Sequence, residues 1–197
     1  MSALRDYRPK WTEAEYLYFE RASNVKHEFV DGVVIAMAGA SREHNLLSGN
    51  TFASLHAQLR KRPCEVFQAD LRVKFGTTHS YPDGVAVCGE RKMLDDKGDT
   101  LLNPTLIIEV LSPSTEQYDR VSKRYEYQKL DSLQDYILIA QDRIHIEHYR
   151  RQADRTWQFY ETKEADAVID IPSIGCTLNV ADIYEKVTFD PVAADDP

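Results

Sequence analysis

No apolar run in the 197 residues approaches the roughly 18 needed to cross a bilayer, and the opening "MSALRDYRPKW" has none of the apolar core of an export signal. Those two absences set aside membrane insertion and export, and the cytoplasm is the expected location. Cysteine is scarce. Cys64, Cys88 and Cys176 are odd in number and far apart, which fits neither a disulfide framework nor a thiolate zinc site, so all three are expected to be packing residues. Positive charge is in deficit as well. A net charge of −8 and an isoelectric point near 5.3 argue against a surface that is one basic platform for nucleic acid, although they leave room for a local groove. The one basic cluster, Arg60, Lys61 and Arg62 with Arg72 and Lys74 further on, is offset by Glu65 and Asp70 and reads as a solvated helix end. Also missing are a Walker-type phosphate loop, GxGxxG, HExxH and GxSxG. Ser112 and Ser114 therefore read as loop and helix-cap residues, and nucleophilic serine catalysis has no assembled support.

What is present suits one domain. With 43% hydrophobic and 28% charged residues, the chain can bury one good core without needing a second, and neither an internal repeat nor a long linker divides it. The expected domain spans 1–187, followed by an acidic Pro/Ala/Asp tail, 188–197, with little to pack. Thr12 with Glu15 forms a capping box opening a helix in "EAEYLYFERA". Asp31-Gly32 between two apolar runs predicts a hairpin. Leu47, Phe52, Leu55 and Leu59 recur at helical spacing behind Ser41, a plausible cap, and give a second helix. "DLRVKF", "DGVAVCG" and "TLIIEVLS" read as strands, the last apolar on both faces and so central. A third helix, "TEQYDRVSKRYEYQKL", precedes strands in "DYILIAQ", "RIHIEHYR" and "RTWQFYET". This order implies an α/β or α+β fold, with helices packed on a central sheet and hairpins on each side.

One residue conflicts with its surroundings. Glu109 sits among Leu106, Ile107, Ile108, Val110 and Leu111, where an unpaired carboxylate must shift its pKa, find a partner or bind a cation. Side chains alternate along a strand, so Glu109 shares a face with Ile107 and Leu111. Asp83 stands at the mouth of a neighbouring strand, behind Pro82, which cannot join a central ladder. If the two strands pair, both carboxylates approach one hard cation, and oxygen ligands suit Mg²⁺ or Mn²⁺ better than zinc. A metal would supply the charge that keeps both ionised, and with it the chemistry of phosphodiester hydrolysis. The competing readings are a plain turn residue for Asp83 in "PDG" and, for Glu109, a buried partner of an arginine or of backbone N–H groups. His145 and His148, three apart in a predicted strand, face opposite sides and do not share a metal.

"YPDGVAV", "NPTLIIEVLSPST", "DRVSKRYEYQKL", then "DYILIA" followed by "QDRIHIEHYRR" resemble, in that order, the Uma2 family of restriction endonuclease-like proteins within the PD-(D/E)XK nuclease superfamily. The resemblance runs from about Trp11 to Tyr184 and implies a restriction endonuclease-like core with a mixed central sheet. By it, Pro82-Asp83 matches the PD, and Glu109-Val110-Leu111 matches the (D/E)XK, with Leu111 standing where the lysine belongs. The resemblance moves that lysine's function to Lys123 on the following helix, where it would orient the attacking water or stabilise charge at the phosphate. Read without the family, Lys123 is equally an exposed helical lysine paired with Asp119 four residues earlier. The resemblance also implies a metal held by Asp83, Glu109 and the Val110 carbonyl, and nominates Glu28 in "HEFVDG" as a further catalytic carboxylate. His44 in "SREHN" becomes a candidate phosphate contact, against the plainer alternative of a capping or core histidine. Asp70 is a weaker candidate, as well explained as a strand-edge charge.

The function that follows is a Mg²⁺- or Mn²⁺-dependent endonuclease acting on DNA. The alternatives are a non-catalytic nucleic-acid-binding or assembly module of the same fold, and a phosphodiesterase acting on RNA or nucleotides. A homodimer is a plausible partner state, because a nuclease with one site per chain can cut both strands of a duplex by pairing about a twofold axis. Tyr118, Tyr125 and Tyr127 on one helix, and Tyr16, Tyr18 and Phe19 on another, are candidate contacts, with core packing as the competing explanation.

Overall fold

The computed structural model describes residues 10–189. The capping box forms at the start of α1 (Glu13–Ala22): Thr12 Oγ1 accepts the Glu15 N–H at 3.3 Å, and Glu15 Oε2 accepts the Thr12 N–H at 2.8 Å. Asp31 and Gly32 take φ values of 49° and 88°, the left-handed pair that turns β1 (His27–Val30) tightly into β2 (Val33–Ala36). Ser41 Oγ accepts the His44 N–H at 3.0 Å and caps α2 (Arg42–Leu59). Next come β3 (Cys64–Gln68), β4 (Arg72–Phe75), β5 (Thr78–Ser80), β6 (Gly84–Cys88), the short β7 (Thr100–Leu101) and β8 (Leu106–Leu111).

The expected third helix is broken in character. It runs as α3 (Glu116–Tyr118), a π-helical stretch (Asp119–Lys123) and α4 (Arg124–Tyr127). Beyond it lie β9 (Asp135–Ala140), β10 (Ile146–Arg151), β11 (Trp157–Thr162), β12 (Val168–Ile171), β13 (Cys176–Asn179) and α5 (Val180–Ile183).

A six-stranded sheet in the order β11-β10-β9-β8-β6-β3 forms the centre, with β8 and β9 parallel and the other pairs antiparallel. Alternation along β8 splits the core in two. Leu106, Ile108 and Val110 face a cluster with Leu47 and Leu55 of α2, Ile171 of β12 and Leu178 of β13. Ile107 and Leu111 face the other way, against Val73, Phe75, Tyr127 and Tyr136. A second sheet, β2-β1-β5-β4-β7, covers that second face together with the π-helical segment. β12 and β13 pair separately. The mixed α+β class therefore stands.

Three expectations need correction. Cys64 and Cys88 are opposite one another in the β3–β6 ladder and form a disulfide, so only Cys176 is the buried packing thiol all three were expected to be. Arg72 belongs to no solvated cluster: it is 2% exposed and ion-paired with Asp99 at 2.6 Å, while Lys74 pairs with Glu13 at 2.5 Å. Tyr16 and Tyr127 are fully buried and serve as core, leaving Tyr18 and Tyr125 as the exposed aromatics of those two helices. The tail reading falls, from residue 190 on, outside the described residues. Among the described residues no helix is long and apolar enough to cross a membrane.

Candidate active site

Pairing of β6 with β8 sets Gly84 opposite Ile108. Extending that antiparallel register by one residue brings Asp83 opposite Glu109, so the two carboxylates, distant in the chain, meet at one end of the ladder on one face. Asp83 is anchored there by its neighbour strand: its Oδ2 accepts the Val110 N–H at 2.8 Å. Both acidic residues line a cleft of about 710 Å³, together with Glu28, His44, Asp119 and Lys123. These side chains come from β1, the start of α2, the mouth of β6, β8 and the π-helical stretch.

Lys123 sits at the centre of the acidic group. Its Nζ lies 3.0 Å from Glu109 Oε1, 3.0 Å from Glu28 Oε1 and 3.4 Å from Asp119 Oδ1. Glu109, Asp119 and Lys123 are 4%, 3% and 5% exposed, so the lysine is no solvated helical residue even though its Asp119 pair exists. The π-helical stretch turns Asp119 and Lys123 inward while leaving Val121 57% exposed. That stretch is pinned from below, because the Tyr136 hydroxyl donates to the Asp119 carbonyl at 3.1 Å. Arg120 holds the outer side, bonding Glu116 at 2.8 Å and contacting Glu147 of β10.

The charges explain the titration behaviour. Burial pushes the Glu109 carboxyl well above its usual range; Lys123 pulls it back, and Asp119 and Asp83 push it further up. Burial alone would lower the Lys123 ammonium, but attraction to Glu109, Glu28 and Asp119 outweighs it and holds the lysine protonated. Asp119 is raised chiefly by burial. His44 lines the cleft already paired: its Nε2 is 3.2 Å from Asp83 Oδ2, and against the opposing effect of burial that carboxylate raises its pKa.

Four carboxylates thus share one cleft with two lysines, Lys26 and Lys123, and a histidine. Among the described residues, Asp83 Oδ1 and Glu109 Oε2 receive no hydrogen bond, since the protein donors reach only Asp83 Oδ2 and Glu109 Oε1. An excess of negative charge with unused oxygen lone pairs fits a hard divalent cation. Among the described residues no three His, Cys, Asp or Glu side chains are arranged to hold an ion by themselves. The set that fits is accordingly two carboxylates, a backbone carbonyl such as that of Val110, and water.

The remaining candidates fall apart from the cleft. Asp70 is a surface charge paired with Lys26 at 2.5 Å, and Leu111 is core. His148 bonds Asp135 at 2.6 Å and His145 bonds Glu161 at 2.9 Å, so each histidine has its own partner. The sequence offered Asp119 only as a surface pairing and Tyr127 only as a contact or core residue, without the bond its hydroxyl donates to Glu109 at 3.3 Å. Four-residue spacing to Lys123 was the available signal for Asp119; nothing local marked Tyr127.

The family pattern described as "Uma2: Putative restriction endonuclease" matches residues 13–181. Two similar proteins come from Synechocystis sp. One, "Uncharacterized protein slr1290", is 34% identical over 92% of this chain and 95% of its own length. The other, "Uncharacterized protein sll1609", is 37% identical over 81% of this chain and 91% of its own. A crystal structure of "a putative nuclease belonging to DUF820" from Anabaena variabilis aligns with a TM-score of 0.74 at 21% identity, covering 89% of this chain and 98% of that one, and shows a shared fold. A pattern matched across nearly all the described elements, on a mixed sheet with the same architecture, establishes that this chain belongs to the Uma2 family and has its restriction endonuclease-like fold.

Proposed function

We propose that this chain is a metal-dependent endonuclease that hydrolyses phosphodiester bonds in DNA. The observation that carries the reading is the convergence of Asp83, Glu109 and Lys123 in one cleft, from the mouth of β6, from β8 and from the π-helical stretch. Membership of a family described as "Putative restriction endonuclease" supports the same class.

In this reading Asp83, Glu109 and the Val110 carbonyl hold Mg²⁺, or Mn²⁺ in its place. The ion would supply a bound water of lowered pKa and positive charge for the leaving oxygen. The rest is done by the chain itself. Lys123, charged and sequestered, orients the attacking water and meets the developing negative charge of the phosphate. Glu28 shares the ammonium with Glu109 at equal distances of 3.0 Å and so fixes its position at the floor of the cleft. His44, through Asp83 Oδ2, keeps that carboxylate turned toward Val110.

The test is cleavage of varied DNA substrates by purified protein with Mg²⁺ or Mn²⁺, beside Asp83→Ala and Glu109→Ala. Metal-stimulated cleavage lost in both variants is the expected result; cleavage that survives either change, or none with wild type, refutes the proposal. Calorimetric titration with Mn²⁺ addresses the non-catalytic alternative, since a carboxylate pair satisfied by Lys123 and Val110 alone gives no saturable heat.

A further inference from the structure

We propose that the strand this cleft accepts is unpaired DNA and that intact duplex is excluded from its floor; the inference rests on the hydrolytic reading above. Charge is the first argument. Duplex DNA presents one negative charge for about every 1.7 Å of its axis, and proteins that grip it do so with many Lys and Arg contacts to phosphate. Among the described residues, the cationic side chains lining the cleft are Lys26, His44 and Lys123. Each already faces a carboxylate: Lys26 reaches Asp70 at 2.5 Å, His44 reaches Asp83 at 3.2 Å, and Lys123 is held by three. The chain as a whole carries −8. A long phosphate track, of one strand or of two, therefore has little to hold it here, and the grip must come from the bases.

The walls offer something else. Among the lining residues are the half-buried Tyr118, Ile35, which is 47% exposed, and Met37. A ring and two apolar side chains bordering a cleft suit the faces of nucleobases, which stack on such surfaces with little regard to sequence. Those faces are hidden in a duplex and open in a single strand. Depth is the second argument. Glu109 and Lys123 at the floor are only 4% and 5% exposed, and the cleft volume of about 710 Å³ lies in the range of sites for small molecules. A scissile phosphate must descend between the rims to reach them. An unpaired strand can bend to do so, whereas a duplex brings its second backbone against the rims.

The experiment compares one fluorescently labelled oligonucleotide, single-stranded and annealed to its complement, in cleavage assays with Mn²⁺. The expected result is faster cleavage of the single strand by about tenfold or more. A parallel anisotropy titration in Ca²⁺ with the same single strand compares wild type with Tyr118→Ala and Tyr118→Phe. Affinity should fall for the alanine variant and persist for the phenylalanine variant, which keeps the ring, with thermal melts showing that both are folded. Duplex cut as fast as single strand, or an unchanged affinity for Tyr118→Ala, overturns this inference while leaving hydrolysis in place. Absence of cleavage on both substrates overturns it together with the reading it rests on.

Discussion

Lys123 Nζ and Glu109 Oε1 lie 3.0 Å apart with both side chains almost wholly removed from solvent. A pair in that position behaves unlike a surface pair. Exposed ion pairs contribute about 0–1 kcal/mol, whereas removing one partner of a buried pair leaves an uncompensated charge and costs about 3–5 kcal/mol. Lys123→Met should therefore lower the unfolding free energy by several kcal/mol in a urea titration. The double change with Glu109→Gln should cost clearly less than the two single changes summed, because the groups share one network. A loss of only a few tenths for Lys123→Met would return the lysine to the role of a solvated helical residue.

Cation binding has its own signature in stability. An ion that binds only the folded chain stabilises it by mass action, by about 2.7 kcal/mol at a hundredfold excess over its dissociation constant. Mn²⁺ should raise the melting temperature of the wild type in a saturable way. Asp83→Asn and Glu109→Gln should each abolish the rise. An equal rise in both variants would mean that the ion binds elsewhere.

How much of this was legible in the sequence depends on what each residue needs. The capping box of Thr12 and Glu15, the Asp31-Gly32 turn and the two-sided apolar strand around Glu109 rest on local chemistry, and each forms as read. The meeting of Asp83 and Glu109 was legible only on the condition that their strands pair, because alternation assigns each side chain a face without saying which strands are neighbours. The disulfide was not, because Cys64 meets Cys88 only through the pairing of β3, a strand whose half-exposed "CEVFQ" carries no strong period. Nor was the burial of Arg72. Its partner, Asp99, comes from a loop before β7, and no local pattern announces that contact. The inward turn of Asp119 depends on a π-helical stretch that propensity alone does not predict.

The Cys64–Cys88 bond is open to a direct count. Unfolded without reductant, the chain should expose one reactive thiol, Cys176, and after reduction all three cysteines. A crosslink closing a segment with a sequence separation of 24 should stabilise the fold, by about 2–4 kcal/mol where the unfolded chain is the main state constrained. Cys88→Ser should then lower the urea midpoint of the oxidised protein and leave that of the reduced protein nearly unchanged. Three reactive thiols before reduction would remove the bond from the structure.

Acid should weaken the fold through Asp99. The Arg21 guanidinium at 2.8 Å, with Arg72 at 2.6 Å, holds the Asp99 carboxyl well below the usual carboxylate range. A folded-state pKa below the unfolded one means that the unfolded chain takes up the proton first. The stabilisation is therefore complete above the ordinary carboxylate pKa near 4 and is lost as pH falls through the depressed folded value. Asp99→Asn lacks that titration and leaves Arg72 buried without its carboxylate, so it should be less stable than wild type at neutral pH. Between about pH 5 and about pH 2 the gap between the two melting temperatures should narrow, because only the wild type's unfolded chain gains a proton at this position. A gap that stays constant across that range would show that Asp99 carries no pH-dependent share of the stability.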